Sequence, residues 1–289
     1  MAVTSVSAPL PGEAGLFRIM VRRPSVAIGL AIFAVLVLAA VLAPYVAPYS
    51  PNKLSIIHRL QSPSGEHLFG TDEFGRDVFS RAIYAGRVSL SVGLGVAVLS
   101  SLFGVVLGLL GGFFRRLDAP VSRIIDAMMA FPDILLAIAL VAALGTSIVN
   151  VILALSIVYA PRIARIIRAA TLVIRELTYV EAARALGVST VRILGNHILR
   201  NVASPIIVQA TFVFAYAMLA EAGLSFLGVG VDSSTPTWGT MINEGTQYVG
   251  QADWIIFFPG IAITLCVLSL QIAGDGLRDA LDPRLSKEL

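Results

Sequence analysis

Cysteine, lysine and histidine are scarce in this 289-residue sequence, and each scarcity removes a class of chemistry. The single cysteine, Cys266, stands in an apolar run, so no disulfide can form within the chain and the residue reads as a small packed side chain. The only lysines, Lys53 and Lys287, follow Asn52 and Ser286. A phosphate-cradling P-loop needs glycine directly before its lysine, so ATP hydrolysis by this chain is not expected. His58, His67 and His197 fall in loops, and neither HExxH nor GxSxG occurs, which leaves zinc hydrolysis and membrane proteolysis without their residues. Charge is thin as well: 13% charged against 57% hydrophobic residues, with a mean hydropathy of +0.86, is not the balance of a water-soluble domain. The net charge of +3 does not signal nucleic acid, because the basic residues lie in loops that flank apolar runs.

Those runs predict an all-α membrane protein with six transmembrane helices. A basic segment, residues 1–25, precedes the first span at 26–47, which is as long as the roughly 20 residues that cross a bilayer and longer than a signal-peptide core. A polar loop with several prolines and glycines follows at 48–87. The core of the protein, 88–276, holds five more spans: Val88–Phe114, Ile124–Leu144, Ile148–Ala169, Ile206–Leu227 and Ile255–Ala273. A tail at 277–289 closes the chain. The amino-terminal segment, the loop at Arg115–Arg123, residues 162–205 and the tail hold 16 of the 21 lysines and arginines, which places both termini and the 162–205 loop in the cytoplasm.

Asp72, Glu73 and Asp77, among Gly70 and Gly75, lack the alternating ligands and final glutamate of a calcium loop and read as a hydrogen-bonded turn. Gly104, Gly108 and Gly112 share one face of the second span, suited to close helix approach within this subunit or with a partner. Asp133 and Glu221 fall well inside spans, where a carboxylate is costly and faces water or a partner. Asp133 follows Pro132 and either lines a pathway or satisfies backbone freed by the proline. Glu221 either lines the route or pairs with polar groups of the loop beyond. Arg162, Arg165 and Arg168 follow at helical spacing and can snorkel to the interface.

In the 162–205 loop, Thr178 with Glu181 three residues on has the pattern of a capping box. Gly187 can take the left-handed turn that ends the short helix, and Ser189 or Thr190 then caps a second one bearing Val191, Ile193, Leu194, Ile198 and Leu199. Ala182 and Ala183 are small enough for another surface to approach closely. Helix, glycine corner, helix is the expected outcome.

The stretch Glu181-Ala-Ala-Arg-Ala-Leu-Gly187, followed nine residues later by His197-Ile198-Leu199, resembles the EAA loop of ABC importer permeases. FGTDEFGRD (69–77), EAGLSFLGVGV (221–231) and GDGLRDALDPR (274–284) extend the resemblance over nearly the whole chain to the dipeptide and oligopeptide (DppC/OppC) type. The sequence departs from that pattern at Arg200, where the family places proline; Pro205 comes later.

The resemblance implies a MetI-like type I permease core. It also implies a bacterial inner-membrane location, a homologous second permease, two ATP-binding subunits that carry ATP and magnesium, and an external binding protein that delivers peptide. This chain itself would hold no cofactor or metal and would have no enzymatic activity. Coupling to the ATPase would fall on Thr178, Glu181, Ala182, Ala183, Arg184 and Gly187, and Asp133 and Glu221 are the candidates for the translocation pathway. The rival reading, a secondary transporter or channel working without an ATPase, would place ionisable groups deep in several spans, often in repeated arrangement.

Overall fold

The computed structural model describes residues 23–232 and 235–281; the basic residues Arg18, Arg22, Arg284 and Lys287 lie outside them. The described residues are helical, and the only β pairing among them is the single bridge Thr71–Asp77. Five helices are long and apolar enough to cross a membrane, or six if one bent pair counts as a span.

Helix α1 (Pro24–Val41) begins with proline at its first position, where a missing N–H costs nothing. Helix α2 (Val78–Phe113) is started by Asp77, whose carboxylate accepts from the Ser80 amide at 2.8 Å. Its 36 residues extend about 54 Å, well beyond a 30 Å hydrocarbon layer, so it projects from the membrane. Helix α3 (Arg115–Met129) and helix α4 (Asp133–Leu144) are the bent pair, with 92° between them. The long helices α5 (Ile148–Ile174), α7 (Thr190–Phe226) and α9 (Trp254–Leu281) complete the bundle, with short helices α6 (Thr178–Ala185) and α8 (Trp238–Gly245) in the loops between them.

The bent pair corrects the expectation of one straight span over Ile124–Leu144. Proline disfavours helical backbone at the residue before it, so Phe131-Pro132 ends α3, and α4 restarts with Pro132 as its cap. Five charges lie in the 15 residues of α3, which turns Val121 and Ile125 inward and sets Asp118 and Asp126 toward arginines of α5. The fifth span belongs to a longer helix. The helix that carries it starts earlier, at Thr190, passes through one π-helical stretch, Ile193–Leu199, and continues past Pro205 to Phe226, so the expected span Ile206–Leu227 is its later part.

The tightest seam lies between α2 and α5, and the glycine stripe is its cause. A Cβ on Gly104 would stand 2.6 Å from Cβ of Ile163, one on Gly108 2.7 Å from Ile167, and one on Gly112 2.5 Å from Thr171. The stripe therefore serves packing within this chain. On another side of α2, Gly93 admits Phe214 and Met218 of α7. Arg23, preceding α1, pairs with Asp279 near the end of α9, joining the first and last helices.

Candidate functional site

The loop between α5 and α7 folds as a helix and a glycine corner. Leu177, not Thr178, caps α6; Thr178 is already helical, and no side-chain cap forms, so the expected capping box with Glu181 is absent. The amide of Glu181 is held by the Leu177 carbonyl at 3.2 Å, and its carboxylate is exposed in the first turn. The far end follows the sequence closely. Gly187 has φ +76°, its amide donates to the Arg184 carbonyl, and the Val188 amide donates to the Ala183 carbonyl, both at 3.0 Å. This is a Schellman closure.

The two sides of α6 differ. Val180 and Ala183 are buried against Ile193, Ile198 and Val202, so Ala183 serves this chain's own core rather than an outside contact. Glu181, Ala182, Arg184 and Ala185 are exposed, as are Leu186 (83%) and Val191 (81%) on either side of the corner. Neither Ser189 nor Thr190 forms a side-chain cap on the second helix. The unit is tied to the bundle twice: the Arg184 guanidinium lies 4.9 Å from the Phe113 ring centroid at the end of α2, and Asn201 donates to the Tyr179 hydroxyl at 3.2 Å.

The arginines of α5 do not merely snorkel. Arg162 pairs with Asp133 at 3.3 Å, Arg165 with Asp126 at 2.6 Å, and Arg168 with Asp118, a ladder fastening α5 to both halves of the bent pair. Asp118 and Asp126, eight residues apart, share one face of α3, and Asp133 opens α4 beyond the bend. Asp133, at the start of α4, also lines a cavity of about 240 Å³ with Leu155, Tyr159, Tyr216 and Leu219. Arg162 lies 5.0 Å from the Tyr216 ring and 5.9 Å from that of Tyr159.

Glu221 is placed differently: it is 1% exposed and held by hydroxyls. Ser225 donates to it at 2.8 Å and Ser89 of α2 at 3.3 Å, with Thr237, the α8 cap, as a third partner. The Ser89 oxygen accepts in turn from the Trp238 amide at 3.2 Å. This network pins the loop after α7 onto α2.

The loop between α1 and α2 is closed by charge. Asp72 accepts from the Phe74 and Arg76 amides at 2.9 Å, confirming a hydrogen-bonded turn, and from the side chains of Arg76 and Arg81 at 2.6 Å. Arg81, 2% exposed, also donates to Glu244 of α8 at 2.8 Å. Glu73 completes a group of three neighbouring carboxylates with Asp72 and Glu244, whose charge the two arginines offset. Burial pushes the Glu73 carboxyl above its ordinary 4.5, and one of its oxygens is buried without a hydrogen-bond partner among the described residues.

Several helices apolar and long enough to span a membrane, a short helix and glycine corner beside them, and a cavity lined by Asp133 between α4, α5 and α7 are the arrangement of a multi-pass membrane protein. Residues 104–287 match the family described as binding-protein-dependent transport system inner membrane component, and residues 15–63 match the N-terminal TM domain of oligopeptide transport permease C. The chain belongs to this family of ABC importer permeases, of the DppC type.

A Brucella suis chain named as a peptide transport system permease protein is 50% identical, covering 99% of this chain and 97% of the relative. The dipeptide transport system permease protein DppC of Alkalihalophilus pseudofirmus is 44% identical, covering 93% and 89%. The glutathione transport system permease protein GsiD of Pectobacterium atrosepticum is 41% identical, covering 91% and 88%. An inward-facing structure of the MetNI methionine ABC transporter has the same fold, with a TM-score of 0.53 at 21% identity over 67% of this chain and 94% of that one.

Proposed function

We propose that this permease works in an ATP-driven importer of dipeptides or oligopeptides in a bacterial inner membrane, with both termini and α6 in the cytoplasm. A homologous second permease, two ATP-binding subunits carrying ATP and magnesium, and an external peptide-binding protein complete the assembly. The chain itself hydrolyses nothing and binds no nucleic acid. The exposed corner at Gly187 carries the reading: apolar Leu186 and Val191 flank it, with Ala182 small enough for close approach. An ATPase surface covering Thr178, Glu181, Ala182, Arg184 and Leu186 would move α6, and α6 would move α2 and α7 through Phe113 and Asn201. Coupling follows if the ATPase binds the two permease states with different free energy. Asp133 is assigned with Arg162 to the route taken by substrate, and Glu221 to holding the α7–α8 loop in register with α2.

The relatives' names supply the peptide substrate. The test is a mild-detergent pull-down of the tagged chain from its native membrane, with cysteine placed at Ala182 for cross-linking. Recovery of a second multi-span protein with active P-loop ATPases, and a cross-link from position 182 to the ATPase, is expected. A pure chain without ATPase under gentle solubilisation would overturn the reading in favour of a secondary transporter or channel.

A further inference from the structure

Arg87 is the one arginine of α2 beyond the charged loop, 9 residues into a helix that crosses the membrane. Among the described residues it makes no ion pair or hydrogen bond; its only recorded partner is the Tyr84 ring, 6.0 Å away. It is exposed, and it stands at a groove of about 420 Å³ otherwise lined by apolar side chains and Ser91: Phe33, Val37 and Val41 of α1, Leu90 and Leu94 of α2, and Phe214 of α7. Phe33 and Phe214 meet edge to face there, with centroids 5.9 Å apart.

The end of α1 marks which end of the groove holds Arg87. Val41 closes that helix and one more turn, Ala43–Val46, continues the apolar run, so Arg87 stands near the outer end of the span, where a long guanidinium side chain can snorkel to lipid phosphates. The groove is also separate from the cavity at Asp133. Phe214 and Tyr216 are two residues apart on α7 and therefore point to nearly opposite sides of it, Phe214 to the groove and Tyr216 to the cavity.

An exposed guanidinium in a membrane span without a carboxylate needs an anion. An apolar channel running from it along two helices needs a hydrocarbon chain. One molecule class supplies both. We propose that this groove is a binding site for an anionic phospholipid of the leaflet on the 48–77 loop side, its phosphate on Arg87 and one acyl chain against Val37, Leu94 and Phe214. Ser91 cannot be the anchor, since its hydroxyl is engaged with the Val88 carbonyl at 2.8 Å.

The test uses the full chain with its copurifying partners, reconstituted with phosphatidylglycerol and phosphatidylcholine and then examined by native mass spectrometry for retained lipid. Phosphatidylglycerol should be retained over phosphatidylcholine. Arg87→Gln should reduce that retention about fivefold, the effect of one basic contact at a membrane surface. Arg87→Lys should restore most of it, and Val37→Trp, which fills the groove without touching the charge, should abolish it. Gel filtration and thermal unfolding identify variants that fail to fold. A photo-cross-linker at Leu94 should label lipid; labelling of a second polypeptide instead would show that a partner permease covers the groove and would overturn the proposal. So would equal retention in Arg87→Gln and the parent protein.

Discussion

The guanidinium of Arg184 lies 4.9 Å from the ring centroid of Phe113, 71 residues earlier in the chain. The contact joins the exposed end of α6 to the last residue of α2, the helix whose glycine stripe forms the tightest seam of the bundle. Motion at the loop therefore has a direct physical route into the membrane core.

Gly187→Val tests the corner. A Cβ there meets nothing within 4 Å, so the penalty comes from the backbone alone: φ of +76° costs a non-glycine residue about 1–2 kcal/mol, more when β-branched. The variant should insert and assemble normally but transport poorly per ATP hydrolysed. Normal transport would remove the corner from the coupling account. Gly187→Asn, which tolerates this conformation, should be nearly silent.

Gly108→Leu tests the seam. Its side chain would have to displace Ile167 and the Ala164 carbonyl, 2.7 and 2.8 Å from the Cβ position, and overpacking of this kind costs about 1–3 kcal/mol or more. Loss of α2–α5 packing should lower the unfolding temperature in detergent, while Gly195→Leu, where nothing lies within 4 Å, should not.

Arg81→Leu removes one of the two arginines shared by Asp72 and Glu244, leaving Arg76 on both. Because Arg76 remains on both carboxylates, the cost should fall below the about 3–5 kcal/mol of a fully stranded buried charge, yet the loop at 48–77 should become more sensitive to protease. Arg81→Lys should rescue only partly, since one ammonium cannot reproduce the fork that reaches both partners.

Glu73 gives a pH signature of defined sign. Its folded carboxyl holds a proton to higher pH than the unfolded one, chiefly through burial, with the charges of Asp72 and Glu244 adding to the effect. The folded state thus binds more protons, and stability from this group is fully present below 4.5 and declines as pH rises from there through the raised folded value. Glu73→Gln should flatten that part of the stability curve measured by thermal unfolding. An unchanged slope would assign the dependence to other groups.

Hydropathy made the long helices readable, because a 20-residue apolar run has few alternatives in a bilayer. Gly187 was readable too, since only a few residue types tolerate its conformation. Three features were not. The break at Phe131-Pro132 was marked by its proline, but hydropathy over Ile124–Leu144 averages across it. The cap at Leu177 lacks a side-chain signature altogether. The partners of Arg162, Arg165 and Arg168 lie 29 to 50 residues earlier, and only the fold brings Asp133, Asp126 and Asp118 opposite them.

The π-helical stretch at Ile193–Leu199 joins the glycine corner to a helix that does not stop until Phe226. At 37 residues this is a rod of roughly 55 Å, and Gly93 lets it bear on α2 partway along, at Phe214 and Met218. The fulcrum stands nearer the Phe226 end, so a tilt of about 10° moves the corner end by roughly 7 Å and the far end by roughly 3 Å the other way. The far end reaches the loop where Asn243 grips the Phe226 carbonyl. On the coupling reading proposed above, a broad stroke at the glycine corner would arrive at the α7–α8 loop as a short one of opposite sense, carried by the helix as a single body.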